Sequence, residues 1–153
     1  MSRVISPRAV MPAVLAVLAA VAAVATDGAY VALIKSQQAT GPNPGVVPFI
    51  TVYIAAIALA AAVAVALILR GKPTAAWPLL VSATTASAAL GFLAIFSIGL
   101  ALLITAGLLG AAAFRLEQTI PPSRTWLPAL AGSVTAIGVL IAGFIVSHVF
   151  WGG

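Results

Sequence analysis

Residues 78–114 read PLLVSATTASAALGFLAIFSIGLALLITAGLLGAAAF, and whether this tract crosses a membrane once or twice decides the fold. As one straight helix its 37 residues would run about 55 Å, against a hydrocarbon core of about 30 Å. The tract must fold back on itself. Ser97, Ile98 and Gly99 are the expected turn, because a serine and a glycine flank its midpoint. Two spans follow, at about 78–96 and 99–114.

Outward from this hairpin, polar breaks divide the chain into three more apolar runs. The first covers about 11–34, after Arg3 and Arg8 and before Lys35; the second covers about 47–69; the last covers about 126–149. Residues 36–45 (SQQATGPNPG) separate the first two, and Gly41, Pro42, Pro44 and Gly45 disfavour helix there. Pro48 suits the first turn of the second helix. Arg70–Pro73 forms the next break, with Trp77 and Pro78 opening the third span. Residues 115–125 (RLEQTIPPSRT) form the break after the fourth.

Composition agrees with this reading. Of 153 residues, 63% are hydrophobic and 6% charged, where a soluble domain carries about 25% charged residues. The expectation is an all-α integral membrane protein, a single domain built as a bundle of five transmembrane helices. The net charge of +5 does not point to nucleic acid, because the basic residues are scattered at the ends of apolar runs. With five spans and the N-terminus cytoplasmic, Arg3, Arg8, Arg70, Lys72, Arg115 and Arg124 fall inside and only Lys35 outside. A single long third helix would leave four inside and three outside, so the positive-inside rule favours the hairpin and a C-terminus outside. Trp77, Phe114 and Trp126 then mark the inner boundary, and Phe49, Tyr53, Phe96, Phe150 and Trp151 the outer one.

The N-terminal run competes with a secretory signal, since Arg3 and Arg8 precede an alanine-rich region and Ala23-Val24-Ala25 offers a cleavage site after Ala25. The apolar pattern continues through Ile34, which is transmembrane length, and an uncleaved first helix is expected. Lipid tails give helices no hydrophobic reason to associate, so contacts should use small residues and interhelical hydrogen bonds. In the fifth span the row Ala131, Thr135, Val139, Gly143 and Ser147 and the pair Gly138 and Ala142 are the expected contacts. Ser82, Thr84, Thr85 and Ser87 offer hydroxyls to their own helix or to a neighbour.

Chemistry-bearing groups are few. Asp27 is the one carboxylate within a span, about eight residues or roughly 12 Å inside Lys35. An intramembrane acid is a candidate proton relay or cation site. Tyr30, three residues on, shares its face and is a possible donor. His148, near the outer end of the fifth span, could titrate with Asp27, or stand as an interfacial residue beside Phe150 and Trp151. Glu117 pairs most simply with Arg115 or Arg124 in solvent.

No phosphate-binding loop, dinucleotide glycine pattern, nucleophile with a base, or cluster of metal ligands occurs in the sequence. No catalytic residue, metal site or cofactor is expected, and the chain is not expected to be an enzyme. The leading expectation is an interaction or accessory subunit whose partners are the lipid bilayer and another membrane protein or a copy of itself. The alternative is a small-solute or proton-coupled transporter using Asp27. High alanine and valine, with arginine over lysine five to two, resembles the usage of bacteria with GC-rich genomes, which points to a bacterial plasma membrane.

Overall fold

The computed structural model of the chain describes residues 7–36, 46–120 and 126–151. It contains five α-helices: α1 (Pro7–Ser36), α2 (Val46–Leu69), α3 (Pro73–Leu93), α4 (Gly99–Glu117) and α5 (Trp126–Trp151). All five are long and apolar enough to cross a membrane.

The tract that decides the fold is a hairpin of α3 and α4, with its turn at residues 94–98 rather than at Ser97–Gly99. The Ala94 carbonyl organises the turn, accepting bonds from the backbone N–H of Ser97 (2.9 Å) and of Gly99 (2.8 Å) and from the Ser97 hydroxyl (3.2 Å). Gly99 is required by close approach, since a Cβ there would collide with the Gly91 carbonyl and the Ala94 backbone. The turn therefore begins as soon as Gly91 lets the returning helix touch α3, a few residues earlier than the midpoint argument placed it. At its other end α3 also begins earlier than Pro78. Pro73 takes its first turn, where a missing N–H costs nothing, and Trp77 lies one turn inside, packed against the core.

Between α2 and α3 only Arg70, Gly71 and Lys72 intervene. Gly71 adopts φ of +72°. Its N–H bonds to the Ile68 carbonyl (3.0 Å) and the Lys72 N–H bonds to that of Leu67 (2.8 Å). This double bond pattern around a left-handed residue terminates a helix and satisfies its last carbonyls, and glycine adopts that backbone without the Cβ penalty.

Helices α1 to α4 form a closed ring in which α1 packs on α2, α2 on α3, α3 on α4 and α4 on α1. Each contributes one buried stripe at alternating three- and four-residue spacing. On α4 it includes Leu102, Thr105, Leu109, Ala112 and Leu116; on α3, Ala76, Leu80, Ala83, Ser87 and Leu90. Alanines sit at the tightest places, with Ala16, Ala19, Ala23, Ala64, Ala76 and Ala112 fully buried. Small side chains let the backbones approach, so dispersion contacts are dense there.

Helix α5 stands outside the ring against α3 and, more lightly, α2. Its contact face is Ala129, Gly132, Ser133, Ala136, Leu140, Gly143 and Ser147, so of the expected four-residue row only Gly143 and Ser147 lie on it. Ala131, Thr135 and Val139 are exposed, as is Ala142, and nothing approaches Gly138. The reason is geometric. A strict four-residue row drifts about 40° per step around a helix of 3.6 residues per turn, whereas steps alternating between three and four stay on one side.

Candidate functional site

Asp27 lies in the second half of α1, about 13 Å before its end at Ser36. One carboxylate oxygen, Oδ1, is buried and has no hydrogen-bond partner. Tyr30 is buried on the adjoining flank. No hydrogen bond joins Tyr30 to Asp27 among the described residues. His148 falls within α5, but its side chain lies outside the described residues.

Seven hydroxyls of the helices share one arrangement. Thr26, Ser82, Thr84, Thr85, Thr105, Thr135 and Ser147 each donate to the carbonyl four residues earlier, at 2.6–3.0 Å. Such back-bonding is the cheapest way to satisfy a hydroxyl where no water is near. Thr85 also meets Ser133 of α5 at 3.1 Å. Ser87 differs: it is fully buried and its Oγ has no partner. It lies six residues before the end of α3, and Thr105 lies six residues after the start of α4. Counted along their own helices, Asp27, Ser87 and Thr105 lie six to nine residues, about 9–13 Å, from the helix ends on one side of the bundle. Two of those three groups carry unsatisfied buried oxygens, and such atoms are uncommon enough to mark a site.

A different surface lies between α1 and α2. An open groove of about 610 Å³ is lined by Ala20, Val21, Val24 and Ala25 of α1 and by Ala58, Leu59 and Ala62 of α2. Every lining residue is apolar, and four of the seven are alanine, so the floor is shallow and the backbones are close to its surface.

Two residues not expected to matter fasten α5. Tyr53 is buried and its phenol donates to the Ala136 carbonyl at 2.8 Å. Phe49 packs on Gly143, where a Cβ would overlap its ring, and meets Phe144 edge-on at 5.9 Å between centroids. The sequence placed both aromatics at the membrane boundary; Gly143 was an expected contact, but its pairing with Phe49 was not legible, nor was the backbone carbonyl that Tyr53 meets. Trp77, expected as a boundary residue, has its indole Nε1 buried without a partner.

Compared with protein-family models, curated proteins and solved structures, the chain matches none of them.

Proposed function

We propose that the chain is a multi-pass protein of a bacterial plasma membrane, with its N-terminus and basic end in the cytoplasm and its C-terminus outside. It acts there as an interaction or accessory subunit through helix packing. The carrying observation is that seven hydroxyls of the spanning helices are bonded to their own backbones. A transport route needs polar groups free to exchange partners with a passing solute, and here those groups are engaged locally. What remains open to a partner is the alanine-floored groove between α1 and α2. Its occupant is a transmembrane helix of another membrane protein, for which close backbone approach is the main source of affinity.

A photo-crosslinking residue at Leu59, on the groove, should give one discrete protein adduct in native membranes. The same residue at Val134, on the exposed side of α5, should give lipid adducts only. Lipid adducts alone at both positions would reject the interaction reading.

One observation favours a second reading, a small-solute or proton-coupled transporter. The unpaired oxygens of Asp27 and Ser87 are acceptors that a proton or a polar solute would satisfy. Proton flux in proteoliposomes of the purified chain, abolished by Asp27→Asn, would support this reading. Flux equal to that of empty liposomes would remove it.

A further inference from the structure

The end of the bundle where α1 starts and α4 finishes is the basic end, with Arg8 in the first turn of α1, Arg70 and Lys72 between α2 and α3, and Arg115 in the last turn of α4. A cleft of about 290 Å³ opens there between α1 and α4, lined by Met11, Pro12, Arg115, Gln118 and Thr119. Its chemistry is unlike that of the groove, because one wall is cationic and amide-bearing while the other is apolar.

Among the described residues Arg115 makes no hydrogen bond or ion pair, so its five N–H donors are available at the cleft mouth. Glu117, two residues on, is rotated about 160° away around the helix and cannot neutralise it from that face. The Thr119 hydroxyl donates to the Leu116 carbonyl at 2.7 Å, which leaves the Gln118 amide as the second donor. The start of α1 and the finish of α4 bring opposite ends of two helix dipoles together, and these largely offset. Arg115 therefore sets the sign of the cleft.

The geometry points to a binding site for the phosphodiester of an anionic phospholipid headgroup, held by the Arg115 fork and the Gln118 amide, with Met11, backed by the buried Pro12, against its glycerol and upper acyl segments. A phosphodiester presents two unbridged oxygens to a guanidinium in the spacing that a fork accepts. Free phosphate would use the arginine but nothing of the apolar wall. Met11 is 54% exposed, and Phe114, beside Arg115 in sequence, is 62% exposed, so an acyl chain can leave the cleft directly into lipid. Basic pockets at the ends of membrane-spanning helices lie at headgroup depth, where such a ligand is abundant.

The test is native mass spectrometry of the full chain in non-ionic detergent, titrated with phosphatidylglycerol, with phosphatidylcholine, and with inorganic phosphate as competitor. Phosphatidylglycerol should be retained about fivefold better than phosphatidylcholine, as one basic residue near a headgroup predicts. Arg115→Gln should abolish that preference, while Lys72→Gln, an exposed cation at the same end outside the cleft, should leave it intact. Gln118→Glu, which places an anion in the cleft with the arginine unchanged, should also abolish it and covers the case of an Arg115 variant that does not fold. The site is overturned if the preference survives Arg115→Gln or Gln118→Glu, or if Lys72→Gln removes it equally. Inorganic phosphate displacing the lipid as well as phosphatidylglycerol itself would overturn the lipid assignment in favour of a free-phosphate site.

Discussion

The α3–α4 hairpin and α5 solve the same problem, holding an apolar helix to its neighbours, by opposite means. In the hairpin the backbones themselves touch, with Gly91 and Gly99 clearing the space and a five-residue turn keeping the two helices together. Helix α5 is joined to α4 by a longer link and packs instead on α3 and α2, so side chains must select its place. They do so with a phenol on a carbonyl, a hydroxyl pair and an aromatic ring on a glycine. A contact enforced by a short connection can be nearly featureless, while one between remote segments needs addresses.

The largest effect should come from Gly99→Val. Its side chain would press on the Gly91 carbonyl and the Ala94 backbone, neither of which can swing away, at a cost of about 3 kcal/mol. Thermal unfolding in detergent should show a collapse in stability. Gly107→Ala, where nothing lies within 4 Å, should stay within about 0.5 kcal/mol of the parent. A Gly99→Val protein as stable as the parent would dissolve the comparison.

Next in size is Gly143→Leu, which displaces the Phe49 ring and should cost about 2 kcal/mol. Because the obstacle is a side chain, Phe49→Ala in the same protein should recover part of that loss, and a double-mutant cycle reads the coupling. No coupling would mean that the ring does not address α5.

Tyr53→Phe should cost about 1 kcal/mol, the order of an interhelical hydrogen bond in lipid. Hydrogen exchange should quicken in α5 and leave α3 and α4 unchanged, which a general loss of stability would not do. The smallest effect is the coupling between Thr85→Val and Ser133→Ala, about 0.6 kcal/mol, since Thr85 keeps its own bond to the Val81 carbonyl when its partner is removed. Coupling larger than that of Tyr53 would reverse their order.

This contrast also explains what the sequence made legible. The hairpin followed from length alone, because no helix of residues 78–114 fits a bilayer, and the five helices are those expected, with ends shifted by a few residues. The turn moved to residues 94–98 because backbone proximity between two glycines governs it, and proximity is not written in any one residue. Of the row expected on α5 only Gly143 and Ser147 reach the contact face, because an alanine-rich helix offers small residues at every spacing and only the partner surface selects among them. Asp27 was legible as the single acid in an apolar span, whereas its unpaired oxygen depends on what the other helices bring near it. The Arg115 cleft was not legible, since Met11 and Pro12 reach it from the other end of the sequence.

Closure of the ring through α1 and α4 has a consequence for biogenesis. Helix α1 is made before α4 and packs against it, so in a chain inserted into a membrane α1 would wait until α2 and α3 had followed. During that interval the alanine face of α1, including Ala16, Ala19 and Ala23, lacks one of its two walls. A nascent chain arrested before residue 99 should remain open to insertion factors and to intramembrane proteolysis, and release of α4 is the step that withdraws it from both.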